Sequence, residues 1–298
     1  MGIINEKGCN MQILLYNNEN SHHKNTNALN NYKNIQFKHI SSLDEISDYD
    51  CVISACNPID VSKYPKTLFI FGPQFSVFPD EKLNHIKSDN SYFNLLSQWV
   101  VNIWNLYDIS RGMNFITLPH GVETEKFTEK YHINEREKVF IYFKHRQHSE
   151  LSILMQFLNN KNISYKIFSY DHRYDEAEFL RYLQESKYGI ILDAHESQGF
   201  AIQEALSCNV PLLVWNVSLF SQEVGTNYPD FPATSVPYWD ERCGELFYNI
   251  EEIEDKFQLF TTKLTTYNPR QYILENLSME VCEKRLIDFI NEKKIEKI

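Results

Sequence analysis

The stretch YGIILDAHESQGFAIQEAL, residues 188–206, decides the fold. Its first seven residues form a nearly unbroken apolar run of strand length, as a strand buried on both faces requires. The residues after Gly199 read as a helix. A strand that enters a helix through a glycine puts the helix N-terminus at the C-terminal edge of a parallel sheet. There the unpaired N–H groups and the positive dipole end favour an anion. Gly199 lets the backbone come close to a ligand without a Cβ in the way. Glu196 and Glu204, with seven residues between them, flank this cradle. Carboxylates accept hydrogen bonds from sugar and ribose hydroxyls, so the pattern suits a ligand that is anionic in one part and hydroxyl-rich in another. Read alone, the two acids serve equally well as complements to the helix dipole.

The same grammar extends outward. KVFIYF (138–143), a helical pattern from Ser149 to Asn160, SYKIFSY (164–170), DEAEFLRYLQES (175–186), the 188–206 unit and VPLLVW (210–215) alternate strand and helix. This alternation is the signature of an α/β layer. Upstream, MQILLY (11–16), NIQFKHI (34–40), CVISA (51–55), TLFIFG (67–72), YFNLLS (92–97) and NFITLP (114–119) are strand-length runs with short connections. They predict a second, compact parallel sheet. Two Rossmann-like domains follow, residues 1–119 and 120–298, joined near Pro119–Phe127. The segment Asn268–Lys294 reads as one closing helical region.

Composition narrows the function classes. A formal net charge of −11 over 298 residues opposes non-specific nucleic-acid binding, which needs clustered Lys and Arg. Cysteines at 9, 51, 56, 208, 243 and 282 have no paired metal spacing and suit buried thiols in a reducing compartment. No apolar run approaches the ~20 residues of a membrane span, and no signal peptide is evident; a cytoplasmic location is expected. The His22-His23 pair reads as solvated. Neither G-x-G-x-x-G nor G-x-x-x-x-G-K-[ST] occurs, which removes the usual support for dinucleotide and P-loop readings.

Glu196, Gly199, Glu204, Ala205 and Pro211 resemble the pattern E-G-F-G-x-x-x-x-E-A-x-A-x-G-x-P-V of family 4 (group 1) glycosyltransferases. Ser197 and Asn209 stand at two of its glycines. LPHGVETEKF (118–127) resembles the family's interdomain linker, and NPRQYILENLSMEVCEKRL (268–286) its closing helix. The resemblance implies a GT-B fold: α/β, two Rossmann-like domains facing across a cleft, with the C-terminal helix returning to the N-terminal domain. It also implies a retaining sugar transfer from a nucleotide-diphosphate sugar to a hydroxyl of a glycan, lipid or other acceptor. In that reading Glu196 takes hydroxyls of the sugar, Glu204 those of the ribose, and the backbone from Ser197 and Gln198 through Gly199 and Phe200 holds the phosphates. Lys144 and Arg146 would neutralise the diphosphate, an Arg fork beside a Lys point charge being suited to it. Tyr170 is a candidate for the nucleobase pocket. No metal and no cofactor beyond the donor is expected. A non-catalytic nucleotide- or glycan-binding protein and a sugar-nucleotide epimerase stand as alternatives on the same fold. The chain departs from the family after its first strand, where NNENSHHKN replaces a glycine-rich turn.

Overall fold

A computed structural model describes residues 11–16, 22–47, 51–55, 58–74, 76–79, 86–172 and 174–295. The chain divides into two compact units, Met1–Gly121 with Leu277–Ile298, and Val122–Asn276.

The first unit is built on strands β1 (Met11–Tyr16), β2 (Ile35–Ile40), β3 (Cys51–Ser54), β4 (Leu68–Phe71), β5 (Ser91–Asn94) and β6 (Asn114–Ile116). They form one parallel sheet in the order β2-β1-β3-β4-β5-β6. Helices α1 (His23–Asn30) and α2 (Gln98–Trp104) are short, in keeping with the short connections read from the sequence. His22 caps α1, its ring nitrogen accepting from the Lys24 amide. Phe69, Phe71, Phe93 and Trp104, all completely buried, form an aromatic spine beside the sheet. Aromatic pairs of this kind add to the stabilisation from area burial alone.

The second unit holds β7 (Lys138–Lys144), α3 (His148–Asn160), β8 (Lys166–Ser169), α4 (Glu176–Glu185), β9 (Ser186–Asp193), α5 (Phe200–Ser207), β10 (Leu212–Trp215), β11 (Gly244–Phe247), α6 (Ile253–Thr262) and α7 (Pro269–Asn276). Its sheet is parallel, in the order β11-β10-β9-β7-β8. The central strands β7 and β9 lie against each other with Phe140 opposite Gly189. A Cβ at Gly189 would meet the Phe140 ring at 2.2 Å, so the close approach depends on glycine there. Along α3 and α4, Leu154, Leu158, Phe179 and Leu183 recur at helical spacing on the buried face. Buried Arg136 donates to the carbonyls of Ser186, Cys208 and Asn209, satisfying orphan acceptors at the ends of α4 and α5.

The closing region is two helices rather than one. α7 ends at Asn276, and α8 (Met279–Ile295) begins after Leu277 and Ser278, whose hydroxyl accepts from the Val281 amide. The break falls where the chain leaves one core for the other. α7 packs on α5, whereas α8 packs on β4 of the first unit. There Glu283 receives the amide and side chain of Asn34.

Candidate functional site

The parallel register places Lys144, the last residue of β7, beside Asp193, the last residue of β9. The Ala194 amide donates to the Lys144 carbonyl at 3.1 Å and keeps the two outgoing turns together. The Glu196 amide donates to the Thr234 carbonyl, and Asn216 beyond β10 ties Thr234 and Ser235 in place. The turn that carries Glu196 is therefore braced from both sides.

Lys144 Nζ lies 2.5 Å from Glu196 Oε1, with the two side chains 15% and 17% exposed. Burial works to lower the Lys144 pKa, but the carboxylate of Glu196 outweighs it and the ammonium is held above its ordinary value. Burial likewise pushes Glu196 upward, and Lys144 overrides it, leaving Glu196 below its ordinary value. Tyr170, which follows β8, is half exposed. Its ring lies 5.0 Å from Lys144 Nζ and meets the His145 ring edge-on at 5.5 Å.

Gly199 sits at φ +82 immediately before α5, the left-handed conformation that glycine adopts without penalty. A Cβ there would touch Glu196 Cβ and Cγ at 3.4 Å, so the backbone conformation is what calls for glycine. The turn is closed by Gln198, whose amide donates to Gln203 Oε1 while Gln203 donates back to the Gln198 carbonyl. Gln198 is thus a brace of the loop, and Ser197 is half-buried beside it. The helix presents its first amides, from Phe200 onward, at the sheet edge. It ends as the sequence pattern suggests: Asn209 takes φ +58, and the Val210 and Asn209 amides donate to the Ala205 and Leu206 carbonyls. Glu204 is 4% exposed, inside the helix-packing layer, where its charge raises the pKa values of Tyr174 and Cys208 after burial has done the larger part.

Arg146 is placed differently from the other cation. It is 2% exposed and fully engaged. Nε and Nη2 make a fork on Glu150 at 3.0 and 2.6 Å, and Nη1 donates to the carbonyls of Asp193 and Trp215 at 3.2 and 3.0 Å. The structure brings Lys144, Glu196, Gly199 and Tyr170 to one edge and sets Arg146 beneath it.

Sequence reasoning missed one acid. Glu223, whose side chain is 11% exposed, lies between two histidines, 3.0 Å from His145 Nδ1 and 3.3 Å from His195 Nδ1. It belongs to a loop with no motif of its own, and the Val224 amide anchors that loop on the His145 carbonyl. Burial lowers the pKa of His195 to about 4, so this ring is neutral near pH 7. A cavity of about 530 Å³ opens beside the β8 loop, lined among others by Phe143, Ser169, His172 and Tyr174.

Among the described residues no group of three or more His, Cys, Asp or Glu side chains is arranged to hold a metal ion. Asp48-Tyr49-Asp50, an Asp-x-Asp triplet of the sequence, lies outside the described residues, as do Cys9 and Cys56. Cys51, Cys208, Cys243 and Cys282 are all buried. No helix among the described residues is long and apolar enough to cross a membrane.

Two parallel α/β units with the last helix carried back into the first define the GT-B architecture. Solved structures of glycosyltransferases share it. A lipopolysaccharide outer core galactosyltransferase, WaaB, matches at TM-score 0.54 and 12% identity, over 97% of this chain and 100% of that one. Sucrose-phosphate synthase from Thermosynechococcus elongatus matches at TM-score 0.52 and 8% identity, over 81% of this chain and 73% of that one. The GtfA/B complex matches at TM-score 0.50 and 13% identity over 84% of this chain, which spans 58% of the chain it matches. At such identities the likeness is one of fold. No protein-family profile and no curated protein sequence matches the chain.

Proposed function

We propose that the protein transfers a sugar from a nucleotide-diphosphate donor to an acceptor hydroxyl, with retention of configuration. The observation that carries this reading is the Lys144–Glu196 pair at the sheet edge, beside the amide end of α5. It sets a cation, a carboxylate and helix amides within one ligand's span. In this reading Lys144 and the amides from Phe200 onward take the diphosphate, and Glu196 takes hydroxyls of the sugar. Tyr170 offers a ring face to the nucleobase, next to the cavity at His172 and Tyr174. Glu204 is proposed for the ribose. Arg146 acts as an anchor that holds the ends of β7, β9 and β10 in place.

The leaving diphosphate gains charge as the glycosidic bond breaks, so a prepositioned ammonium and helix amides stabilise the transition state more than the ground state. The acceptor hydroxyl attacks from the face the diphosphate leaves, and a phosphate oxygen takes its proton. No side-chain general base is then required, and no metal enters the scheme. The names of the structural neighbours support glycosyl transfer in general; the donor, the acceptor and a cytoplasmic location are parts of the proposal.

A second reading, binding of a nucleotide or glycan without turnover, is favoured by the burial of Arg146, which leaves Lys144 as the cation of the expected pair that faces the edge. Incubation with UDP-, GDP- and dTDP-sugars separates the readings. Slow release of free nucleotide supports a transferase, and saturable binding with no turnover supports the second reading. A changed sugar still joined to its nucleotide would mean an epimerase.

A further inference from the structure

Asp193 sits one strand away from Lys144 in register, and Glu196 follows three residues later. The Asp193 side chain is completely buried, and neither carboxyl oxygen has a hydrogen-bond partner of ordinary geometry. A buried ionised carboxylate left in that condition is strongly disfavoured. Its carboxyl lies against that of Glu196, which is already held by Lys144. Two adjoining buried carboxyls that share one ammonium retain a proton between them.

The charged and titratable groups around Asp193 are few. Strand β7 and its turn bring Lys144, Tyr142 and Arg146, the last donating to the Asp193 carbonyl with its charge balanced by Glu150. The strand's own outgoing turn brings His195 and Glu196, with Glu223 beyond His195. Strand β10 contributes the Trp215 carbonyl, which accepts from the same guanidinium nitrogen.

We propose that Asp193 is a positioning residue for donor-sugar recognition: it keeps a proton, donates it to Glu196, and holds that carboxylate in place to capture sugar hydroxyls. Burial first, with Lys144 opposing and Glu196 adding, carries the Asp193 pKa well above its ordinary value, in keeping with this. The ligand assignment rests on the transferase reading; the shared proton does not. When a diphosphate draws Lys144 toward itself, Glu196 retains an acid partner and does not become an isolated buried anion. At alkaline pH the proton is lost, two carboxylates face each other, and Glu196 is displaced.

The test has two arms on the full chain. Infrared titration should show a protonated carboxylic acid carbonyl band at neutral pH that disappears on alkalinisation and is absent in Asp193→Asn. Glu196→Gln should shift the band, because Asp193 then faces an amide. In the second arm, release of nucleotide from UDP-, GDP- or dTDP-sugars is followed against pH. Asp193→Ala should raise KM for the donor about tenfold or more, and Asp193→Asn, which keeps a donor group, should restore it to within about threefold while abolishing the alkaline decline. A neutral-pH spectrum with no band sensitive to Asp193→Asn would overturn the proposal, as would an Asn variant that keeps the wild-type alkaline decline. If Asp193→Asn does not fold, an unshifted band in Glu196→Gln overturns it instead. Wild-type protein that turns over no sugar nucleotide counts against the transferase reading alone, since the infrared arm still decides the proton.

Discussion

Lys144 and Glu196 close on each other at 2.5 Å, although one ends a strand and the other lies 52 residues on, in the turn that opens a helix. In the free protein each is the other's counterion. A ligand that binds there must replace both halves of the pair, giving Lys144 an anion and Glu196 hydroxyl donors. A nucleotide-diphosphate sugar supplies both. A free phosphate supplies only the anion. On the transferase reading the pair would select for a bipartite ligand, and its neighbours would divide into groups that meet the ligand and groups that hold the pair.

Arg146 belongs to the second group. Its guanidinium satisfies Glu150 and two strand-end carbonyls inside the protein. Arg146→Ala should therefore destabilise the fold by about 3–5 kcal/mol, the usual effect of removing one partner of a buried pair. Urea unfolding measures this. Stability within about 0.5 kcal/mol of wild type, with activity lost, would restore Arg146 to the ligand-binding group.

Gly199→Ala strains a residue at φ +82, with the new methyl group at contact distance, 3.4 Å, from the Glu196 side chain. The stability loss should be about 1 kcal/mol, as for an L residue forced into the left-handed region. The loss of donor turnover should be larger, roughly tenfold or more, because relief of the backbone strain shifts the turn that carries Glu196. A melting-curve and kinetics comparison decides; equal fractional losses in both would contradict the assignment.

Tyr170 is 51% exposed, so Tyr170→Ala should leave unfolding nearly unchanged. Loss of its ring face beside Lys144 should weaken nucleotide affinity by about 1 kcal/mol, or roughly fivefold. Calorimetric titration with UDP and GDP gives the value. An unchanged affinity for every nucleotide that binds would remove Tyr170 from the site.

Buried histidines set the acid limit of stability. Burial lowers His120 and His195 from an ordinary 6.5 to about 4 each. Between those values the unfolded chain binds more protons than the folded one, so stability rises with pH across the window and is lost as pH falls through it. Glu196, lowered chiefly by Lys144, adds a loss in the same direction once pH drops below its ordinary 4.5. Each histidine contributes at most about 3 kcal/mol. Urea unfolding from pH 7 down to pH 4 should show this slope, and His120→Gln should lessen it. A flat profile over that window would contradict the burial account.

The sheet architecture was legible because strands buried on both faces leave apolar runs: β8 and β10 lie within the runs read for them, while β7 extends past its run to Lys144 and β9 starts ahead of its run, at Ser186, where the sequence pattern ends a helix. Asn209, which stands at a glycine of the family's pattern, ends α5 in the left-handed conformation, Asn being the residue that most readily replaces glycine at a helix end. The division of the closing region into α7 and α8 was not legible. Both halves carry helix-forming residues, and the break is set by which core each half packs against. At the site, chain order brought Glu196 and Gly199 together on one turn, and a basic run pointed to residues 144–146. It could not distinguish Lys144 from Arg146, because the complete burial of Arg146 and the partial exposure of Lys144 depend on Glu150, Asp193 and Trp215 in space. Glu223 left no signal at all. Its role arises from a loop folded back on His145 and His195, and no local spacing records that.

The central claim is that Glu196 recognises the sugar of a nucleotide-diphosphate donor while Lys144 holds its diphosphate. The most direct measurement is nucleotide release from a panel of UDP-, GDP- and dTDP-sugars by the wild type and by Glu196→Gln. The account predicts that one or more donors are turned over by the wild type, that the variant's kcat/KM falls by about 10²–10³, and that its affinity for the free nucleoside diphosphate stays within about threefold. Wild-type turnover in Glu196→Gln would contradict it.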